Sequence, residues 1–305
     1  MNIKHKTKKG YAMRNMNQIK RMVGIIIIIG MTGYISGAIR LPVKYVISGD
    51  KFFPEGIAHQ PATGDFFVGS TFDGTIVKGN IRSGQTSVFL PGGQDGRKAA
   101  VGMKLDNKGR LFIAGGMTGL IFVYNIYNKK LLARFESGST PSFVNDAVIT
   151  PNGDVYFTDS MSPVIYKISS KLQFSRWLDL RGSVVKYEPG FNFNGIGSTE
   201  NGKYLIAVQM NKGKLYRISI ENKQVSEIKV TGYPPLNGDG LLLRKSKLIV
   251  VQNRLNVISA YQLSPDYSSA RFISRMTHPE FSFPTTAAFS SNGLLVVNGQ
   301  LQIGR

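Results

Sequence analysis

The sequence lacks cysteine and is poor in histidine and tryptophan. Its 305 residues include no cysteine, three histidines and one tryptophan. A chain without cysteine can form no disulfide, no thiolate metal site and no cysteine nucleophile. His5 lies in a basic N-terminal region, and His59 and His278 are far apart in the sequence. These three histidines therefore disfavour a histidine-rich redox metal centre.

Several sequence patterns of known enzyme classes are also missing. The sequence contains neither a G-x-S-x-G nucleophile elbow nor a G-x-x-x-x-G-K-[ST] phosphate loop, so a serine hydrolase of that type and a P-loop nucleotide site are not indicated. After residue 40 no apolar run follows the helical period of 3.6 residues, which excludes strands that alternate with helices.

The charge is unevenly distributed along the chain. The net charge is +20, and no acidic residue precedes Asp50. Lysine and arginine residues up to Arg40 contribute 8 of these charges. In the rest of the chain no Lys/Arg run exceeds two residues, and no nucleic-acid-binding motif is present. We therefore expect a solvated basic surface and no nucleic-acid partner.

Residues 1–40 differ in composition from the rest of the chain. Seven lysine and arginine residues precede the apolar run from Met22 to Ile39, which ends near the small residues Ser36-Gly37-Ala38. This pattern is typical of a secretory signal peptide, and the run is also long enough for an uncleaved membrane anchor. A buried strand of the fold is a third interpretation. The first two predict that residues 41–305 are exported and that the protein meets the membrane through this segment alone.

A β-hairpin pattern recurs along the remaining chain. In residues 143–160, two apolar runs flank the turn Pro151–Asp154, and its Asn-Gly pair favours a tight hairpin. Five other stretches repeat the pattern. The residue at the start of each copy, which we call the anchor, is Glu55, Val101, Asn145, Asn194, Asp239 or Thr285, with steps of 46, 44, 49, 45 and 46 residues between them.

Each complete copy continues with two more apolar runs, for example Gly74–Asn80 and Gln85–Leu90 after the first hairpin. Four antiparallel strands per copy, repeated six times, predict an all-β six-bladed propeller spanning residues 41–305. The last copy ends soon after its first hairpin. We therefore expect Val43–Ile47 to close the ring as an outer strand of the last blade, although that blade would still lack one strand.

The anchor position predicts a metal site. In a propeller the first strand of each blade is innermost, so the anchors face a common axis. Glu55 and Asp239 would bring two carboxylates together there, and Asn145 and Asn194 would bring two amides. Buried carboxylates repel each other, and a cation between them removes the repulsion. Hard oxygen ligands favour Ca²⁺, and Mg²⁺, Mn²⁺ and Zn²⁺ are also compatible. Alternatively, these side chains bind water and backbone groups in the channel.

These motifs resemble the senescence-marker-protein / gluconolactonase / luciferin-regenerating-enzyme family of six-bladed propellers over residues 50–300. The similarity is carried by the stretches PEGIA, VNDAVITPNGDVYFTDS, NGIGSTENGKYLIAV and GDGLLL, which begin at Pro54, Val144, Asn194 and Gly238. The resemblance implies a divalent metal held by Glu55, Asn194 and Asp239. It also implies that Asn145 contacts the substrate or the attacking water. Lactone hydrolysis, with Asp239 as general base, is the implied reaction.

The sequence departs from that pattern near the third anchor. Relatives that hydrolyse sugar lactones carry an arginine two residues before this asparagine, and Phe143 occupies the position here. A less polar lactone or ester therefore suits the site better. Gln209, at the end of a second strand, is a further substrate-binding candidate, with hairpin capping as the alternative. A carboxylate that binds a cation is a poor base, so Asp146 and Asp159 are the reserve candidates for that role.

The sequence thus predicts a divalent-metal-dependent hydrolase, a lactonase or related esterase that acts on a small lactone or ester. The alternative is a non-catalytic propeller that is stabilised by its metal and presents its rim as an extracytoplasmic binding module. Both interpretations use the same fold and the same ligands, so the ligand residues do not separate them. The oligomeric state is left open by the sequence.

Overall fold

The chain is described by a computed structural model, which covers residues 24–30, 44–47, 51–291 and 293–301. Within these ranges it consists of 24 β-strands and two short 3-10 turns, with no α-helix. Strands β1 (Gly24–Gly30) and β2 (Lys44–Ile47) precede the repeats. Sheet I contains β3 (Pro54–Gln60), β4 (Asp65–Ser70), β5 (Ile76–Asn80) and β6 (Thr86–Leu90).

Two further sheets repeat this arrangement. Sheet II contains β7 (Met103–Leu105), β8 (Arg110–Ala114), β9 (Leu120–Asn125) and β10 (Leu131–Glu136). Sheet III contains β11 (Val144–Ile149), β12 (Val155–Asp159), β13 (Val164–Ile168) and β14 (Phe174–Asp179). In each of these sheets the four strands pair in sequence order, antiparallel to their neighbours.

Sheet IV has eight strands. Its first half contains β15 (Phe193–Ser198), β16 (Tyr204–Gln209), β17 (Lys214–Ser219) and β18 (Val225–Thr231). Its second half contains β19 (Gly238–Arg244), β20 (Lys247–Gln252), β21 (Val257–Leu263) and β22 (Ser269–Met276). Each half is an antiparallel set of four. The outer strands β18 and β22 join the halves through three parallel pairs, from Lys229 with Ser269 to Thr231 with Arg271.

Sheet V contains β23 (Pro284–Ser290) and β24 (Gly293–Asn298) together with the two N-terminal strands, in the order β2-β1-β24-β23. The prediction of an all-β chain built from four-stranded antiparallel sheets is confirmed, and this architecture is consistent with a β-propeller.

Each hairpin is determined by the residues of its own turn. In sheet III, for example, Gly153 adopts a φ of 83° in the turn, and its N–H donates to the Thr150 carbonyl at 2.8 Å.

The strands that follow the anchors or contain them form the inner part of the molecule. These first strands are β3, β7, β11, β15, β19 and β23; each contacts the next, and β23 contacts β3. Apolar side chains fill the space between neighbouring sheets. Between sheets V and I, for instance, Tyr45 packs against Phe66 with ring centroids 5.1 Å apart, and its hydroxyl donates to the Ile81 carbonyl at 2.7 Å.

A β-bulge lies at the anchor in five of the first strands. The pairing with the second strand shifts by one residue between Pro54 and Ile57, and the same shift occurs around the anchors Asn145, Asn194, Asp239 and Thr285. A bulge leaves an extra residue unpaired and re-aims its side chain. The anchor side chains can therefore point away from the ladder toward the centre of the molecule.

Close contact between first strands explains the residue that follows most anchors. It is glycine in four copies: Gly56, Gly102, Gly195 and Gly240. A Cβ atom at these positions would lie between 1.9 and 2.4 Å from an oxygen at the start of the next copy, a distance that no side chain can adopt. The exceptions are Asp146 and Thr286. At Asp146, Thr158 bridges the first strand and its neighbour β15. The Thr158 hydroxyl accepts a hydrogen bond from the Asp146 N–H at 3.2 Å and donates one to the Asn194 carbonyl at 2.6 Å.

The placement of β1 differs from the prediction that residues 1–40 are separate from the propeller. Residues Ile25 to Gly30 pair with β24, and Gly24 to Ile27 pair with β2. Lys44–Ile47 is therefore the outer strand of sheet V, and β1 takes the position of the strand that the sequence predicted to be missing from the last blade. The rest of the predicted signal or anchor lies outside the described residues. Among the described residues, no helix has the length and apolar character needed to cross a membrane.

We predict that a protein lacking residues 1–31 unfolds at a lower temperature than one lacking residues 1–23. The larger deletion removes β1, which leaves the edge of β24 unpaired and β2 without a neighbour. Main-chain hydrogen bonds each contribute a net ~1 kcal/mol, so we expect a midpoint lower by about 10 °C or more in thermal unfolding followed by circular dichroism. Equal midpoints would contradict the pairing of β1 with β24 and β2, and would agree with removal of the segment as an export signal.

Candidate metal centre

Four polar anchors meet near the axis with two further charged residues. We call Glu55, Asn145, Asn194, Asp239, Asp146 and Lys104 the central cluster. The five residues other than Lys104 are buried, and the Lys104 side chain is mostly buried. The charges of Asp239, Asp146 and Lys104 all act on the pKa of Glu55, and the side chain of Asn194 lowers the pKa of Asp239. These interactions link the anchors Glu55, Asn194 and Asp239, and Asn145 adjoins the cluster through its chain neighbour Asp146.

The protein itself orients two of these side chains. Asn253 donates from Nδ2 to Asp239 Oδ2 at 2.6 Å, and Asn145 donates from Nδ2 to Ser160 Oγ at 2.8 Å. Ser160 in turn donates to the carbonyl of Phe193 at 2.6 Å. Because the amide nitrogen of Asn145 is engaged in this way, its oxygen is the atom left for a ligand.

Three buried oxygens of the cluster have no hydrogen-bond partner among the described residues. They are Glu55 Oε2, Asn145 Oδ1 and Asp146 Oδ2. An unpaired buried acceptor costs about 1–3 kcal/mol, and more when it is charged. Three such acceptors at one place indicate that water or a cation completes the site.

Lys104 and Asp146 form an ion pair that the repeat register alone did not reveal. Lys104 Nζ lies 3.2 Å from Asp146 Oδ1, and the same oxygen accepts the Ala147 N–H at 2.8 Å. Lys104 is three residues after its anchor. In the other copies this position holds Ala58, Val148, Gly197, Leu242 and Ala288. The sequence signal for the role of Lys104 was therefore its charge at a repeat position that is uncharged in the other five copies.

Two carboxyl groups of the cluster, those of Glu55 and Asp239, have raised pKa values. Burial raises the pKa of Glu55 well above its usual range; the charges of Asp239 and Asp146 raise it further, and Lys104 opposes them. Burial also raises the pKa of Asp239 to about 7, although hydrogen bonds from Asn253 and Asn194 oppose the increase. Both groups are therefore held in an environment that disfavours their negative charges unless a positive charge balances them.

The residues present fit a divalent cation. Three carboxylates and one ammonium carry a net charge of −2 when all are ionised, which one divalent cation neutralises. The free oxygens belong to carboxylate and amide groups, the ligand types that Ca²⁺ prefers. Within the described ranges, no group of three or more histidine or acidic side chains has the arrangement of a metal site. Two of the four polar anchors are asparagines, so a cation here would depend on amide oxygens as well.

The remaining two anchors take no polar part in the cluster. Thr285 donates its hydroxyl to the Glu55 carbonyl at 2.9 Å, which links sheet V to sheet I. Val101 is buried among the apolar residues between sheets II and III.

Two residues at hairpin ends make structural contacts: Asp159, a reserve candidate for the base, and Gln209, a candidate for substrate binding. Asp159 accepts hydrogen bonds from three main-chain N–H groups and from the hydroxyls of Ser142 and Tyr166. Gln209 donates to the Lys186 carbonyl at 2.8 Å and accepts from Tyr216 at 3.1 Å. Asp159 is therefore saturated and unsuited to act as a base, and the amide of Gln209 is committed to the protein's own loop.

Phe143 lies two residues before Asn145, immediately before β11. Its ring packs edge-on against Phe191, with centroids 4.8 Å apart. The side chain is partly exposed and is part of an apolar patch, so it offers a surface and no hydrogen bond to a substrate.

A surface depression lies elsewhere in the molecule. It has a volume of about 680 Å³ and is located at the junction of β18 and β22, where Thr231, Gln262 and Arg271 contribute to its lining. None of its lining residues belongs to the central cluster.

We predict that the metal-free protein loses stability as pH rises from 5 to 8. The native pKa of Asp239, about 7, exceeds its ordinary value, so the folded state binds the proton more tightly than the unfolded state does. Stability is therefore greatest below the unfolded pKa and falls until the folded pKa is passed. Asp239→Asn removes the ionisation.

In chemical unfolding with chelator present, the wild type should lose on the order of 2–3 kcal/mol more than Asp239→Asn between pH 5 and pH 8. The exposed Asp266→Asn variant is the matched control and should behave like the wild type. Parallel pH profiles of the wild type and Asp239→Asn would contradict the raised pKa.

The fold is shared with known proteins, although the sequence is not closely similar to them. No family model matches the chain, and no curated protein matches it. Among solved structures, the major allergen Mala s 1 of Malassezia sympodialis has a TM-score of 0.64 at 15% identity, covering 83% of this chain and 89% of that one.

Two other similar structures are bacterial. The calcium-binding protein regucalcin from Agrobacterium tumefaciens C58 has a TM-score of 0.61 at 15% identity, covering 81% of this chain and 90% of its own. A gluconolactonase from Xanthomonas campestris has a TM-score of 0.60 at 12% identity, with coverages of 81% and 86%. The resemblance to the senescence-marker-protein / gluconolactonase / luciferin-regenerating-enzyme propellers is therefore confirmed for the fold.

Proposed function

We propose that this protein is a divalent-metal-dependent lactonase or related esterase. The observation that supports this best is the set of unpartnered buried oxygens of Glu55, Asn145 and Asp146 at the centre of the molecule. The names of two structural neighbours, a gluconolactonase and a calcium-binding protein, agree with a lactone substrate and with Ca²⁺. Mg²⁺, Mn²⁺ and Zn²⁺ are the other cations to be tested.

We also propose that the ring has six blades. Sheet IV then consists of two four-stranded blades joined at their outer strands, and β1 and β2 complete the last blade. Six first strands in continuous contact support this count. The six anchors then surround one axis, which gives the protein a single centre for chemistry.

Glu55, Asn194 and Asp239 are the proposed ligands of the cation. A bound divalent cation supplies a Lewis acid that polarises an ester carbonyl and stabilises the negative charge developing on its oxygen. Asn253 fixes Asp239 for this role through its hydrogen bond to Oδ2. Asn145 presents its free Oδ1 beside the ligands and positions the substrate or the attacking water.

Asp146 is better suited than Asp239 to act as general base. A cation lowers the pKa of a carboxylate that binds it, which makes Asp239 a weak proton acceptor. Lys104 and the Ala147 N–H both hold Asp146 Oδ1, while Oδ2 is free. Oδ2 can take a proton from water as the water oxygen attacks the carbonyl carbon, and can return it to the alkoxide when the ring C–O bond breaks.

Cation binding and turnover should separate the roles of these residues. We expect Glu55→Gln and Asp239→Asn to lose binding of Ca²⁺, Mg²⁺, Mn²⁺ and Zn²⁺ in calorimetric titration of the chelator-treated full chain. Asp146→Asn should keep stoichiometric binding and lose turnover of aliphatic and sugar lactones by about 10²–10⁴-fold, the usual contribution of a general base.

Asp266→Asn is again the matched control and should retain both properties. If Asp146→Asn hydrolyses lactones at the wild-type rate, Asp239 regains the role of base. Cation binding without turnover of any lactone would favour the non-catalytic binding module. A wild type that binds none of the four cations would overturn the metal site.

A further inference from the structure

Large apolar residues recur just beyond the second strands. In every copy, one such residue follows within three positions of the end of the second strand. They are Phe72, Met117, Met161, Met210, Leu255 and Leu301, which we call the apolar collar. The end of each second strand pairs with the start of the first strand, as Ser70 does with Pro54. The collar therefore lies on the same edge of the sheets as the anchors.

Several collar residues are unusually exposed for their type. The exposed fraction is 55% for Phe72, 75% for Met117 and 43% for Leu255. Scattered apolar residues on a surface are ordinary, but here a large apolar residue recurs just beyond the second strand in all six copies, and exposed apolar patches mark binding sites. Next to Phe72, Phe53 adds to this surface, with its ring centroid 6.1 Å from that of Phe72.

The collar is continuous with the polar centre. The amide of Asn194 lies against the sulfur of Met210, with Nδ2 and Sδ 3.5 Å apart. On the neighbouring side, Phe143 packs against Phe191 and lies next to Gly116, where a Cβ would be 3.5 Å from its ring. A molecule with its polar group at the cluster would therefore extend directly onto apolar side chains.

Charge indicates what the collar can bind. All six collar residues are uncharged. Of the basic residues near them, Lys212 pairs with Glu188 at 2.6 Å and the Lys51 ammonium lies 5.5 Å from the centre of the Phe72 ring, while Arg254, next to Leu255, is exposed. Three of the six residues are methionines, whose flexible side chains adapt to apolar partners of different shape. These features suit an uncharged, flexible chain.

We propose that the collar binds the aliphatic chain of an amphiphilic lactone or ester whose carbonyl lies at the central cluster. This proposal rests on the hydrolase function proposed above and specifies its substrate class. The central cluster with one divalent cation is close to neutral, which suits an uncharged polar group, and the collar suits the alkyl substituent. The substrate is then a lipid-like lactone or ester, with few hydroxyl groups along its chain.

The test uses full-length protein loaded with Ca²⁺. Hydrolysis is measured for γ-lactones with side chains from methyl to octyl. Binding is measured by calorimetry with γ-lactams of the same chain lengths, which resist hydrolysis. Each buried methylene should lower both the KM of the lactone and the Kd of the lactam by about two- to fourfold, until the collar is filled.

Met117→Gln replaces an exposed collar residue by a polar one of similar size. It should reduce the ratio of octyl-lactam to methyl-lactam affinity by about threefold or more. Combining it with Met161→Gln should reduce the ratio further. Leu132→Gln alters a similarly exposed apolar residue on β10, away from the collar, and should leave the ratio unchanged.

The outcomes separate this inference from the proposed function. Lactone hydrolysis without chain-length dependence would overturn the proposal that the collar binds the aliphatic chain, and would leave the proposed hydrolase function intact. Chain-dependent lactam binding without hydrolysis of any lactone would support the collar and overturn the hydrolase. Absence of both would overturn both. If sedimentation shows that the wild type self-associates and Met117→Gln does not, the collar binds a second copy of the chain and the proposal is wrong.

Discussion

The structure depends on the close approach of its first strands near the axis. At Gly56, Gly102, Gly195 and Gly240 there is no space for a Cβ, because an oxygen at the start of the next copy is within 2.4 Å of its position. Such packing fixes the radius of the centre, and with it the separation of the anchor side chains. The bulges then direct those side chains inward. Backbone geometry thus concentrates carboxylate and amide groups that would repel one another or remain solvated in a looser ring.

The electrostatic consequences follow from this concentration. Glu55 and Asp239 are removed from water and placed close to a third carboxylate, so their negative charges are disfavoured. Lys104 compensates part of that charge by pairing with Asp146. The pairing separates the roles of the carboxylates. Asp146 is held by the protein through one oxygen, while Glu55 and Asp239 remain available to a cation. A site for binding and a site for proton transfer can then lie side by side.

The sequence predicted the parts of this structure that are local or repeated. Hairpins such as the one at Asn152-Gly153 depend on turn residues a few positions apart, and the anchors were found from their common register. Asp146 and Lys104 were harder to interpret, because their pairing joins two copies through space. The bulges have no sequence signal apart from the glycines. The run from Met22 to Ile39, which contains β1, was interpreted as an export signal or membrane anchor in preference to a buried strand, because its basic flank and apolar composition suit a membrane as well as the interior of a sheet.

The pairing of β1 with β24 also has a consequence for the order of folding. Gly30 pairs with Gly293, so the first described strand is hydrogen-bonded to the last one. Hairpins within each copy can form as soon as their residues are available, but this contact must wait for nearly the whole chain. Contacts of such long sequence separation slow folding because a large loop must close first. Until then the edge of β24 can pair with another chain, so the yield of folded protein should decrease as the concentration during refolding increases.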